Sequence, residues 1–348
     1  MATAAPPSPL DAQWLAHRYD PGRDAFHFLQ VTREAHRGAT FLTDDYLPAG
    51  LPAAVLQRRE ALARATPPAP LHWIVHSAFC CSTLLARALD VPGHAMSLSE
   101  PAVLNDLTGW RRRGEPGPDL ATVVDDTLTL LGRPFSGGEA VVVKPSTIAN
   151  GLMPAMLALR ADSTAVLLYA PLPTFLASIA KKELEGRLWV RTLLAGMLDD
   201  GLASFGYSTR EHFAHTDLQV AALAWLGQQA LFADLVRRYG PGRVRTLDSA
   251  TLMQHPRAAL AELAMLFGLR LPSATLDAIV AGPAFNRHSK SGAAFDATAR
   301  AAEHRSAADT HAREIAVVLR WAEQAAAAFG IAPDAPAPLL DQRVSMSP

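Results

Sequence analysis

Residues able to hold a small anion are concentrated in Leu71–Asp90, LHWIVHSAFCCSTLLARALD. Leu71–Val75 is an apolar run behind Pro68 and Pro70, long enough for a buried strand and too short for an independent helix. His76–Cys81 breaks that pattern, and from Ser82 onward Leu84, Leu85, Ala88 and Leu89 recur at helical spacing. A strand, a tight turn and a helix in that order aim several backbone N–H groups at one spot, where a phosphate or sulfate is held without a side-chain cation. Ser82 and Thr83 add hydroxyls, and either can cap the helix. Ser77, Ala78, Phe79, Cys80, Cys81, Ser82 and Thr83 therefore read as an anion cradle, while an ordinary strand-to-helix turn around a buried cysteine pair accounts for the same residues equally well.

The nucleotide-hydrolase loop GxxxxGK[ST] does not fit here. On its spacing the chain carries His76, Cys81, Ser82 and Thr83, so both glycines and the lysine are missing and hydrolysis through a loop lysine and Mg²⁺ is disfavoured. Three further residues could do chemistry beside the loop: His76 at the end of the first run, Glu100 after MSLS, and Lys144 closing AVVVK. A carboxylate at the carboxyl end of a strand stands where open α/β sheets collect ligands, and it can accept a proton from a hydroxyl; its plain alternative is a helix cap. Lys144, with Ser146, Thr147 and Asn150 after it, falls at the same edge, although an edge lysine is ordinarily a surface charge. Pro283–Asp296, PAFNRHSKSGAAFD, gathers Arg287, His288 and Lys290 in one Gly-containing loop able to give salt-sensitive contacts to a phosphate.

The spacing of loop and helix resembles the 5′-phosphosulfate loop of the sulfotransferase superfamily, in the branch where a basic residue, Ser, Gly, Ser, Thr, Leu, Leu follow the first strand. Ser82, Thr83, Leu84 and Leu85 match directly, with Phe79 at the basic position, Cys80 at the Ser and Cys81 at the Gly. The resemblance spans 68–296 and includes Glu100-Pro101, the Val-Val-Lys of 142–144, and Leu266-Phe267-Gly268-Leu269 after a late helix. In that family a strand ending in Arg and a Ser eight residues on bind the donor's 3′-phosphate; here Ser178 keeps the spacing and Ala170 stands at the arginine. The resemblance implies sulfuryl transfer from PAPS, a dissociable donor, to a hydroxyl or amine of a small-molecule acceptor, without a metal. On it Glu100 is the candidate base, and Lys144 and His76 stand beside it as further catalytic candidates. Two other functions stand beside it: a noncatalytic nucleotide- or anion-binding protein, and a phosphotransferase using another nucleotide.

The elements that would position these residues form an α/β domain. Apolar runs near 71–75, 94–98, 140–144, 164–169 and 243–247, separated by helical stretches, predict a three-layer, mostly parallel sheet with a P-loop-like anion-binding turn and helical insertions. Residues 1–66 read as a cover packed on this domain, with a strand at Ala25–Val31, a helix at Ala53–Ala65, and a solvated face including Arg33, Asp44 and Asp45. Residues 67–330 form the domain itself, and 331–348 a Pro/Ala-rich flexible tail.

Composition bounds the rest. With 348 residues, 49% of them hydrophobic, the chain can bury a large core. Lys plus Arg number 32 against 33 Asp plus Glu, so net charge points neither to nucleic acid nor to an anionic membrane. The only cysteines, Cys80 and Cys81, are adjacent and poorly placed for a disulfide, which fits a reducing cytoplasm. No signal peptide, membrane span or spaced Cys/His set is present, so neither a membrane nor a metal is expected; oligomeric state is left open.

Overall fold

The computed structural model describes residues 8–286, 310–332 and 334–340. Three strands, β1 (Trp14–Asp20), β2 (Ala25–Gln30) and β3 (Ala53–Gln57), form an antiparallel sheet in the order β1-β2-β3. Five more, β4 (Leu71–His76), β5 (Ala95–Ser99), β6 (Ala140–Lys144), β7 (Ala165–Tyr169) and β8 (Val244–Asp248), form an all-parallel sheet in the order β5-β6-β4-β7-β8. The expected α/β architecture is therefore present, and β4 is its central strand. From β4 the chain runs toward β5 at one edge of the sheet, and from β7 it runs to β8 at the other, so the connections diverge at the carboxyl end of the centre, where such sheets open a crevice.

The apolar runs are continuous because both faces of this sheet are covered. Ile74, Val142, Val166 and Leu168 point into one core, which helices Ser82–Ala88, Leu172–Lys181, Asp217–Tyr239 and Ala312–Ala328 enclose. Trp73, Val75, Val141, Val143 and Leu167 point into the other, shared with helices Ala102–Arg113 and Leu120–Leu131 and with Trp14, Phe26 and Phe28 of the antiparallel sheet. Each fully buried Ile or Val contributes about 1.5–3 kcal/mol, so these strands hold the carboxyl edge rigidly.

Two expectations are corrected. Residues 53–65 are not one helix: Ala53–Gln57 is a strand, followed by helix Arg58–Arg64. Ala54 and Leu56 are buried and pair with Phe28 and Phe26, whereas Val55 and Gln57 face outward, a period of two that a helix cannot present. The tail is not free over its described residues either. Thr246 of β8 donates its N–H to Ala337 O (2.9 Å) and accepts from Leu339 N–H (2.7 Å), and Leu339 and Leu340 are buried, because β8 is an edge strand whose polar groups need partners. Among the described residues no helix is long and apolar enough to cross a membrane.

Candidate functional site

The loop after β4 is held by its own backbone. Ser77 donates its N–H to Leu168 O (3.0 Å), and its Oγ accepts from Ala170 N–H (3.1 Å), tying the loop to the end of β7. Ala78, Phe79 and Cys81 all take left-handed backbone conformations, with φ of 68°, 52° and 66°. None is glycine, so each costs about 1–2 kcal/mol, and the surrounding packing must hold the turn. Cys81 is the N-cap of helix Ser82–Ala88, and no side chain caps that helix; Ser82 and Thr83, expected as caps, are instead its first two residues. Leu85 N–H is the first of the helix to bond back, to Cys81 O at 3.0 Å, so the N–H groups of Ser82, Thr83 and Leu84 precede the intrahelical ladder.

Side chains of the loop divide between core and edge. Cys80 is fully buried, and burial together with neighbouring Cys81 pushes its thiol up to about 12. Phe79 packs edge-on against Phe175 (centroids 5.9 Å) and Trp189 (5.3 Å). Ala170, where the resemblance leads one to expect an arginine, is fully buried and its carbonyl accepts from Trp225 Nε1 (2.8 Å). Ser178, in helix Leu172–Lys181, is buried and donates its hydroxyl to Thr174 O one turn back (2.8 Å).

His76, Glu100 and Lys144 come together at the carboxyl ends of β4, β5 and β6. His76 Nδ1 accepts from Ala78 N–H (3.1 Å), so Nε2 carries the ring proton and donates to Pro145 O (3.0 Å). Lys144 Nζ lies 3.5 Å from that Nε2, donor facing donor, and its ammonium instead pairs with Glu100 Oε1. The Lys144 side chain is 0% exposed and the Glu100 side chain 19%, so the cation is enclosed while the carboxylate reaches solvent. Glu100 is itself left-handed (φ 51°), and its N–H donates to Lys144 O at 2.6 Å. It does not cap the next helix, whose N-cap is Pro101.

Sequence reasoning gave no role to two residues that complete this cluster. The Phe41 ring lies over Lys144 Nζ, 5.0 Å from centroid to nitrogen, and Phe41 carries no motif or periodicity that marks it. Gln228, in helix Asp217–Tyr239, accepts from Asn150 Nδ2 (3.3 Å), which also donates to His76 O (3.0 Å) and so braces the strand end from behind. Asn150 was legible as an edge residue, whereas Gln228 lies in an apolar helical stretch without a signal.

Arg287, His288 and Lys290 lie outside the described residues. Among the described residues no group of three or more His, Cys, Asp or Glu could hold a metal ion. Cavities of about 530 Å³ and 700 Å³ occur elsewhere; neither is lined by the loop 76–83, by Glu100 or by Lys144.

Neither a protein-family model nor a curated protein matches this sequence. Among solved structures, the chain is similar to the sulfotransferase domain from the curacin biosynthetic pathway, at 13% identity and a TM-score of 0.40, over 66% of this chain and 85% of that one. It is likewise similar to the sulfotransferase domain from the Synechococcus PCC 7002 olefin synthase, at 12% identity and a TM-score of 0.40, over 68% of this chain and 84% of that one.

Proposed function

We propose that the carboxyl edge of the parallel sheet is a group-transfer site that moves a sulfuryl group from PAPS to a hydroxyl or amine of a small-molecule acceptor. The observation that carries this reading is the meeting of a buried ammonium, Lys144, and a solvent-reaching carboxylate, Glu100, beside His76 and the loop that follows it. The resemblance of that loop to a phosphosulfate loop supplies the donor. The amides of Ser82, Thr83 and Leu84 would hold the donor's 5′-phosphosulfate oxygens, with the two hydroxyls beside them.

In the step itself the acceptor's oxygen or nitrogen forms a bond to sulfur while the bond from sulfur to the 5′-phosphate oxygen breaks. The acceptor's proton passes to a Glu100 oxygen and adenosine 3′,5′-bisphosphate leaves. The electron pair of the broken bond goes to the 5′-phosphate oxygen of the leaving adenosine 3′,5′-bisphosphate, where the new negative charge develops, while the Lys144 ammonium orients the Glu100 carboxylate that takes the proton. On this reading His76, fixed between Ala78 N–H and Pro145 O, is a strut between loop and strand.

Glu100→Gln tests the reading, because its amide oxygen still accepts from Lys144 while basicity is lost. Turnover with PAPS and an active acceptor is expected to fall about 100-fold, with donor affinity by calorimetry unchanged. Retained turnover moves the base elsewhere; lost donor affinity alone makes Glu100 an organising residue.

A second reading, noncatalytic anion or nucleotide binding, is favoured by one observation. The family's two cationic positions are here Phe79, packed on aromatic rings, and Ala170, sealed in the core. Binding of a nucleotide panel followed by mass analysis of retained ligand separates the two: PAPS-selective binding with transfer supports the enzyme, and tight binding without transfer to a broad hydroxyl and amine library supports the binder.

A further inference from the structure

Each sheet ends in two outer strands whose outward N–H and C=O groups need partners, and three of these four edges are closed by the chain itself. On β8, Thr246 bonds to Ala337 and Leu339. On β5, Ala95 exchanges both bonds with Val91, the Ser97 N–H interacts with the Asp90 carboxylate, and Ser99 O accepts from Leu42 N–H (2.7 Å). On β1, Trp14 O accepts from Arg133 Nη2 (2.8 Å) and Tyr19 donates its N–H to Asp106 Oδ2 (3.1 Å). A register shift at His17 breaks β1 further, and His17 and Arg18 latch onto Asp44.

The fourth edge, β3, is left open. Gln30 donates its N–H to Pro52 O (2.9 Å) and Arg58 its N–H to Asp24 O (2.9 Å), and these two bonds fix which positions of β3 face β2. With Phe28 opposite Ala54 and Phe26 opposite Leu56 between them, the even-numbered residues bond to β2, and Ala53, Val55 and Gln57 turn their backbone groups away from it. Among the described residues nothing pairs with the N–H or C=O of Ala53 and Val55, or with the N–H of Gln57. Val55 is 51% exposed, and β3 carries no charge, no internal proline and no register shift, the devices that blunt an edge.

We infer that β3 is a homodimerisation edge: two copies of the chain pair their β3 strands antiparallel about a two-fold axis through Val55, and their antiparallel sheets become one. The strand itself argues for a second copy as the occupant. About Val55 the open groups are self-complementary, since Val55 meets Val55 in both directions and the Gln57 N–H of each copy meets the Ala53 O of the other. Side chains keep their faces, with Ala54 opposite Leu56 on the buried side. Charge agrees with this pairing. Arg59, exposed just after β3, lies at opposite ends of the paired strands in the two copies, about 17 Å apart for a strand of this length, which is beyond the screening length at physiological salt. A pairing this short buries less than a standard interface, so the dimer belongs in the micromolar range.

Sedimentation equilibrium of the full-length protein reads the dimer, and hydrogen exchange over residues 52–58 places it. Dimerisation is expected below about 100 μM, and the Val55 and Gln57 amides should exchange about 5-fold or more slowly in concentrated than in dilute solution. Val55→Pro removes an outward N–H and leaves every bond to β2, at a position where an edge strand accepts proline. Val55→Lys sets two ammonium groups face to face at the axis. Each should weaken dimerisation about 10-fold or more with the melting temperature in dilute solution unchanged, whereas Val55→Thr, which keeps the backbone and the branched side chain, should dimerise like the unaltered protein. If Val55→Pro melts early, Val55→Lys and the exchange measurement decide. A monomer at about 100 μM, which would leave the edge to an extended peptide of another protein, overturns the inference. So does a dimer that Val55→Lys does not weaken, or exchange at Val55 and Gln57 that is independent of concentration.

Discussion

Glu100 and Lys144 are joined twice: the carboxylate of Glu100 accepts from the Lys144 ammonium, and the Glu100 N–H donates to the Lys144 carbonyl at 2.6 Å. The backbone bond continues the register in which Ser99 of β5 faces Lys144 of β6, so the ion pair is placed by the sheet and not by flexible side chains. The left-handed Glu100 backbone carries the cost of that placement.

The pair is asymmetric in exposure, and its two halves should respond differently to removal. Glu100→Ala leaves a wholly enclosed ammonium without its carboxylate, whereas Lys144→Met leaves a carboxylate that reaches water. Glu100→Ala is expected to lower unfolding free energy by about 3 kcal/mol, and Lys144→Met by about 1 kcal/mol, since methionine also fills the space of the lysine stem. Urea unfolding of both variants checks the order, and an equal or reversed order means that water reaches Lys144.

Phe79 and Ala170 separate in the same way under substitution by arginine. Phe79 is half-buried at the loop, so Phe79→Arg is tolerated and should raise affinity for inorganic sulfate about 10-fold through a charge-assisted contact. Ala170 is fully buried beneath Trp225, so Ala170→Arg forces a charge and a large side chain into a filled core and should cost about 3 kcal/mol or more. Calorimetric sulfate titration tests the first and urea unfolding the second.

The strand runs were readable because burial on both faces leaves no alternation: Val141, Val142 and Val143 are all enclosed, and their register with β4 and β5 follows. Glu100 and Lys144 were readable as carboxyl-edge residues for the same reason. Their direct pairing was not, because it depends on β5 and β6 being neighbours, and pairing order is a tertiary property. Ala53–Gln57 misread as helix because a short Ala/Leu-containing run fits both periods until a partner strand picks one. Asp44 read as solvated face; it becomes a latch only through the shifted register that brings His17 to it.

Two buried histidines away from the site set an acid limit. Burial, with the Arg33 charge adding to it, pushes His36 down to about 4, and burial pushes His72 down to about 4. Each is neutral in the folded chain and protonates near its ordinary value in the unfolded one. Above pH 6.5 neither contributes to the pH dependence; between pH 6.5 and 4 the unfolded state takes up protons that the folded state refuses, and stability falls with falling pH. Each contributes a loss on the order of 3 kcal/mol by pH 4. His72→Phe, which keeps the stack on Phe267, should flatten that part of the pH profile measured by chemical denaturation, and an unchanged slope would show that His72 titrates while folded.

The thiols give a chemical check on the loop's packing. With its thiol pushed up to about 12, Cys80 has a thiolate fraction of about one in ten thousand at pH 8, and its sulfur is enclosed. Iodoacetamide at pH 8 should label at most Cys81 in the native protein and both cysteines in urea, read by peptide mass analysis. Native labelling of Cys80 would mean that the turn opens on the labelling timescale.

Asn150 tests whether the strand end is braced for the anion or only for the fold. Its amide nitrogen donates to His76 O and to Gln228 Oε1, and all three residues are buried, so Asn150→Ala leaves two buried acceptors without that donor. A loss of about 1–3 kcal/mol in unfolding free energy is expected. If the brace also sets the loop, His76 shifts, its Nδ1 no longer meets Ala78 N–H, and the turn that precedes Ser82 and Thr83 relaxes. Affinity for inorganic sulfate should then fall about 5-fold or more in Asn150→Ala, beyond the change in Gln228→Ala, where Asn150 keeps its bond to His76 O. Matching sulfate affinities in the two folded variants would confine Asn150 to stability.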